Sequence, residues 1–222
     1  MVRIVCLERD SVDARLRRPA GDHEWIEYPA TRPDQVVERL LGAQIAITNK
    51  APMPAAVIDA LPDLRLVAIS ATGTNVVDLE ACRRRGVAVC NIRGYAVHTV
   101  PEHTLMLLLA LSRNLVAYRL SVQAGRWQRT EQFCLFDHPI RDLHGATLGV
   151  VGGGSLGGGV IRLAEAFGMR VLRAERKGAA TLRPGHVAFA EVLRECDALT
   201  LHCPLTPETQ GLIGDAELRA MK

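Results

Sequence analysis

The stretch Val150–Val160, VVGGGSLGGGV, holds six glycines in eleven residues, and a run of that kind is either slack chain or a turn that brings backbone very close to something. A flexible linker has polar flanks, whereas this run is entered from ATLGVV and left through VIRLAEAFGM, the apolar patterns of a strand and a helix. Gly152, Gly154 and Gly157 stand in G-x-G-x-x-G register at that strand-to-helix junction. There the first glycine permits the tight turn, the second lets backbone approach a pyrophosphate, and the third lets helix and strand pack closely. The unpaired amides and dipole at the start of the helix then attract the phosphates. The fingerprint also expects an acidic residue about 20 positions on, and Glu175 ends the next strand, RVLRAE. A carboxylate facing a 2′-phosphate at 4 Å repels it by about 4 kcal/mol per unit charge at an effective dielectric of 20. NAD is therefore predicted over NADP. Arg173, Arg176 and Lys177 leave a second possibility open: if Glu175 turns outward, Arg176 holds a phosphate. Gly158 and Gly159 fall outside the register, cost about 1 kcal/mol each in helix propensity relative to Ala, and have no role assigned by sequence.

The remainder of the 222 residues places this turn in a fold. RIVCL, EWIEY, QIAIT, LRLVAIS and VAVCN read as strands, with PDQVVERLLGA, PAAVIDAL and VVDLEACRRRG as the helices between them. Alternation of that kind implies a parallel sheet covered on both faces. The segment TVPEHTLMLLLALSRNLVAYRLSVQAGRW reads as a long helix entering a second domain, followed by an irregular arm, QRTEQFCLFDHPIRDLHG. A second series then runs strand ATLGVVG, helix SLGGGVIRLAEAFG, strand RVLRAE, helix AFAEVLREC, strand DALTLHCP, helix GDAELRAM. The expected architecture is α/β with two doubly wound parallel-sheet domains, residues 1–97 and 98–222. Almost half the residues are hydrophobic, so both can bury a core.

Several function classes are disfavoured. The net charge of +3 is small, and the basic triplet Arg83–Arg85 reads as a solvated helix end rather than a nucleic-acid surface. The six cysteines include no CxxC pair and read as reduced, buried thiols; Cys134 and His138 form a Cys/His pair with no further ligands at metal-site spacing, so no metal is expected. The N-terminus lacks the apolar core of a signal peptide, and no apolar run approaches the roughly 20 residues of a membrane span. A cytoplasmic protein is expected.

Several longer phrases are more specific: SATGTNVVDLEACRRRGVAVCN, TVPEHTLMLLLAL, LGVVGGGSLGGG, AFGMRVL and ALTLHCPLTPETQGLI. In combination they resemble the D-isomer-specific 2-hydroxyacid dehydrogenases over essentially the whole chain, with TNKAPM and QFCLFDHPI closest to the glycerate dehydrogenase (hydroxypyruvate reductase) branch. The resemblance implies a flavodoxin-like substrate domain and a Rossmann NAD-binding domain, incomplete at its C-terminus. It also implies reversible hydride transfer between nicotinamide C4 and C2 of a small 2-hydroxy/2-oxo acid in a cleft between the domains, and a homodimer through residues 99–145. By position, the N–H groups of Ala71, Thr72 and Gly73 take the substrate carboxylate, with Thr72 also near the nicotinamide and Lys50 facing the same cleft. Gly152, Gly154, Ser155, Leu156 and Gly157 take the pyrophosphate, Glu175 and Arg176 the adenosine ribose side, and Cys203, Pro204 and Thr209 line the cofactor. Val76 stands where the family usually has Asn. The family's catalytic Arg, acidic residue and His belong to phrases that come after MK, where this sequence stops, so no catalytic residue is assigned. His98 and His103 beside Glu102 are discounted, since adjacent helix positions point to different faces. The main rival is a non-catalytic, corepressor-like dinucleotide-binding module, and a methyltransferase is the weaker one.

Overall fold

A computed structural model describes residues 1–222, and the chain divides into two compact units, Met1–Gly94 and Tyr95–Lys222. In the first, β1 (Val2–Cys6), β2 (His23–Glu27), β3 (Ile45–Thr48), β4 (Leu66–Ile69) and β5 (Ala88–Asn91) form one parallel sheet in the order β2-β1-β3-β4-β5. This is the doubly wound, flavodoxin-like order. The helices α1 (Val36–Leu40), α2 (Ala55–Asp59) and α3 (Leu79–Arg85) make the crossovers. Local chemistry sets their ends: the Asp78 carboxylate caps α3 by accepting from the Ala81 amide, and Gly86 at φ +70° stops it. Between helices and sheet lie Val5, Leu7, Leu40, Met53, Ile58 and Val67, all fully buried. Burial of that kind stabilises by about 1.5–3 kcal/mol per large side chain.

The alternation fails once. β1 and β2 are parallel neighbours, yet only a 3-10 turn at Arg9–Ser11 lies between them. SVDARLRRPAGD has no apolar period with which to cover a sheet face, and the Arg9 guanidinium secures its start by donating to the carbonyls of Val12 (2.6 Å) and Ala14 (2.9 Å).

The second unit opens with α4 (Thr99–Ser112), α5 (Leu115–Gln123) and α6 (Arg126–Arg129), where the sequence pattern suggests one helix. The break falls at Asn114, in the left-handed region at φ +49°, and α5 leaves α4 at 58°. Asn tolerates that conformation better than most residues, and its side-chain amide donates to the Pro139 carbonyl. No single helix is long and apolar enough to cross a membrane. The arm beyond α6 is irregular but tethered. Tyr118 Oη donates to the His138 carbonyl at 2.7 Å, and the Arg126 guanidinium engages both oxygens of Asp137 at 2.9 and 3.2 Å.

The sheet of this unit has β6 (Thr147–Val151) at its centre, flanked by β7 (Arg170–Ala174) and β8 (Ala198–Leu201), all parallel. Every residue of β6 is buried, as expected of a strand covered on both faces. α7 (Ser155–Ala166), α8 (Phe189–Glu195) and α9 (Asp215–Ala220) complete it. The cysteines depart in part from expectation: Cys6, Cys82 and Cys196 are buried, with burial pushing their thiols up, but Cys90 is exposed and Cys134 and Cys203 are half-buried.

Candidate dinucleotide and carboxylate sites

The glycines after β6 divide by what their missing side chains would meet. Gly152 sits at φ +94°, and a Cβ there would stand 2.6 Å from the Cys203 nitrogen and from the His202 carbonyl carbon. At Gly157 it would fall 1.9 Å from the Gly152 carbonyl oxygen. These two positions let the turn, the end of β8 and the first turn of α7 close on one another. Gly154 is different: its φ and ψ of −66° and −163° suit any residue, and no atom lies within 4 Å of its would-be Cβ. The fold therefore does not require glycine there, and the turn keeps a bare outer surface at the point where α7 begins. The first N–H groups of that helix, from Ser155 and Leu156 onward, have no acceptor within the helix and point out of its N-terminus.

Gly159 acquires a role as well. A Cβ would stand 2.6 Å from the Pro101 side chain of α4, so this glycine lets α4 and α7 touch. At Gly158 nothing lies closer than 3.9 Å, and the structure gives it no reason to be glycine.

Glu175 follows β7 as expected but does not offer its carboxylate outward. One oxygen accepts from the Arg176 amide (2.8 Å) and Arg183 Nη2 (2.8 Å), the other from Arg183 Nε (2.7 Å) and the Arg183 amide (3.1 Å). A carboxylate has about four acceptor positions, and all four are engaged by protein donors here. The Arg183 fork, followed by the two backbone amides, lowers the carboxyl to a pKa of about 2. A depressed pKa stabilises the fold above the ordinary carboxylate range, and that contribution is lost as pH falls towards 2. Arg183 is not legible in the sequence as part of this site. It lies eight residues further on, in a loop folded back by Pro184 and Gly185, and only the pairing of Val187 with Ala174 brings it over the strand end.

A cavity of about 440 Å³ adjoins this loop, lined in part by Glu175, Arg176, Leu182 and Phe189. Cys203 contributes the backbone against which Gly152 packs, and Pro204 is exposed. The Thr209 hydroxyl donates to the Pro204 carbonyl (2.6 Å) and accepts from the Thr206 amide (2.8 Å). It shapes its own loop through these two bonds. His202 is half-buried, its Nε2 2.9 Å from Thr200 Oγ1, and burial lowers its pKa.

In the first unit, Ala71, Thr72 and Gly73 follow β4, and their N–H groups donate to no protein acceptor. The loop does not depend on a side chain at position 76, where Val76 instead packs against the core. Asn91 Nδ2 donates to the Thr72 carbonyl (2.7 Å) and Thr72 Oγ1 to the Ile92 carbonyl (2.9 Å). Lys50 is exposed, and Glu8 holds its loop: the Glu8 carboxylate accepts from the amides of Asn49 (2.8 Å), Lys50 (2.9 Å) and Ala51 (2.8 Å) and from Thr48 Oγ1 (3.1 Å). Burial pushes Glu8 up, but these donors outweigh it and hold the carboxyl below its ordinary value. Glu8 belongs to no motif that sequence could single out, and Asn91, although it ends the phrase SATGTNVVDLEACRRRGVAVCN, carries no role there. His98 and His103 are both exposed.

The family described as D-isomer specific 2-hydroxyacid dehydrogenase, NAD binding domain, matches residues 105–222. The glycerate dehydrogenase of Methylorubrum extorquens is 46% identical over 221 residues, covering 99% of this chain and 69% of that protein. The hydroxypyruvate reductase of Blautia hydrogenotrophica is 33% identical, covering 98% of this chain and 69% of its own length. Among solved structures, a protein from Thermus thermophilus superposes with a TM-score of 0.81 at 30% identity, covering 100% of this chain and 71% of that one.

Proposed function

Since the chain belongs to the D-isomer-specific 2-hydroxyacid dehydrogenases, we propose that it serves hydride transfer between a nicotinamide dinucleotide and a small 2-hydroxy/2-oxo acid of the glycerate/hydroxypyruvate or glyoxylate type. Gly154 carries this reading: among the three fingerprint glycines it alone is not demanded by the fold, and a bare turn at a helix N-terminus suits a pyrophosphate. When bound, the nicotinamide supplies or accepts the hydride. The residues of this chain bind and orient. The amides at Gly154–Leu156 receive the pyrophosphate, and those of Ala71, Thr72 and Gly73 receive the substrate carboxylate, with the Lys50 ammonium adding positive charge. NADH is expected to bind the purified chain saturably in calorimetric titration, without competition from S-adenosylmethionine. Competition by that ligand would move the reading to a methyltransferase.

Assembly belongs to the same proposal. Leu111, Val116, Phe133 and Phe136 are 76%, 67%, 90% and 88% exposed, and they fall within the 99–145 region that the family resemblance assigns to a homodimer. So many large apolar side chains in one segment are unusual on a monomer. Light scattering at micromolar concentration is expected to give twice the chain mass, and a monomer mass would reject the dimer.

A further inference from the structure

At the end of β7 the charge facing outward is opposite to the one the sequence places there. The Glu175 side chain is 4% exposed and lies beneath Arg183, whose side chain is 57% exposed. Nε and Nη2 of Arg183 hold the carboxylate, which leaves Nη1 and one Nη2 proton directed elsewhere. The exposed Arg176 contributes its amide to the same carboxylate and has no ion-pair partner. Lys177 is engaged by Glu217 at 2.7 Å. Glu208 is the nearby countercharge; its carboxyl is lowered first by Thr206 and, more weakly, by Arg176.

We infer that Arg183 is a specificity-determining residue for the cofactor: by covering Glu175 and presenting a guanidinium in its place, it lets this site accept a 2′-phosphorylated dinucleotide as well as NAD. The inference rests on the dinucleotide reading above. A free carboxylate at this strand end holds the ribose 2′-hydroxyl and repels a 2′-phosphate, whereas an arginine nearby accommodates it. Here both groups are present, and their pairing decides which the ligand meets. The pair is close to neutral overall, so the repulsion predicted from Glu175 alone is cancelled at its source. Arg176 and the remaining donors of Arg183 are left to face the phosphate. Arginine suits this position because one edge of its planar fork can hold a carboxylate while other N–H groups stay available to a phosphate.

The test is the ratio of NADPH to NADH dissociation constants, measured by titration calorimetry on the 222-residue chain and its variants. Wild type is expected to bind the two within about tenfold of each other, about 1.4 kcal/mol. Arg183→Ala uncovers Glu175 and is expected to weaken NADPH by about tenfold or more while NADH changes little, the size expected of one charge contact at a partly exposed site. Glu175→Gln keeps the shape, removes the negative charge and is expected to move the ratio the other way. A wild-type preference for NADH beyond about a hundredfold, or a ratio unmoved in Arg183→Ala, overturns the inference while leaving the cradle standing. If Arg183→Ala fails to melt cooperatively, the decision passes to Glu175→Gln, where an unmoved ratio has the same consequence. Failure of wild type to bind either nucleotide overturns the dinucleotide reading and this inference with it.

Discussion

Gly154→Val is expected to leave the fold nearly untouched while lowering NADH affinity about a hundredfold or more, whereas Gly157→Ala is expected to damage the second unit itself. The contrast follows from the space at each position. At Gly154 a side chain meets no protein atom, and its backbone angles suit valine. The folding cost is confined to a poorer N-cap, about 1 kcal/mol or less, which shifts the melting temperature by about 2–4 °C in a chain of this size. The same branched side chain would stand where a pyrophosphate must come to reach the amides that open α7. Losing two charge-assisted hydrogen bonds at about 1.5 kcal/mol each already exceeds a hundredfold in affinity. At Gly157 a methyl group would lie 1.9 Å from the Gly152 carbonyl oxygen, so the turn and helix must part. Overpacking of this kind costs typically about 1–3 kcal/mol. The measurements are thermal melting by circular dichroism and calorimetric NADH titration on both variants. Wild-type NADH affinity in a folded Gly154→Val chain would show that the turn is not the cradle.

The two glycines also mark what sequence can and cannot convey. The register of Gly152, Gly154 and Gly157 is readable because each strand and helix beside it carries its own period, and β6 and α7 fall where those periods put them. Gly159 is not readable, because its reason is Pro101, a residue far away in the chain that packs against it only after α4 and α7 have met. Asn114 escapes on other grounds: the polar stretch Ser112–Asn114 is shorter than one helical turn and apolar residues resume at Leu115, so the hydrophobic pattern sees one helix where a single left-handed residue makes two. The missing helix between β1 and β2 shows the converse, a segment whose lack of period is informative but is outweighed by the regularity of its neighbours.

The candidate site is legible as positions more than as interactions. Glu175 is identifiable as the acid of the fingerprint, yet its chemistry is set by Arg183, and no motif spacing connects the two. Glu8 and Asn91 are the same kind of case, since each shapes a loop about 20 to 40 residues distant by accepting from or donating to backbone groups. Backbone amides carry no residue signature of their own, so those of the two candidate sites are legible only through the glycine register and the family resemblance, and the side chains that hold their loops only once the chain is folded.

The 222-residue chain is expected to oxidise NADH with hydroxypyruvate or glyoxylate at no measurable enzymatic rate, even where it binds NADH. Hydride transfer to a carbonyl builds negative charge on its oxygen, so the reaction calls for a proton donor within about 3 Å and a cation that polarises the carbonyl. The histidines available for the first task are poorly suited to it. His98 and His103 are exposed, and although the Glu102 amide donates to the His98 carbonyl at 3.1 Å, no side-chain hydrogen bond joins the Glu102 carboxylate to either ring. The His202 ring is held to Thr200 at 2.9 Å, and burial lowers its pKa, which disfavours the protonated form a donor needs. Lacking an acid catalyst typically costs about 10²–10⁴-fold, and lacking an electrostatic clamp about 10²–10³-fold more. The assay follows NADH absorbance with hydroxypyruvate on the purified 222-residue chain, and a rate no higher than that of the buffer is the expected result. Turnover above that background would overturn it, and loss of that turnover in His98→Ala or His103→Ala would then identify the donor within this chain.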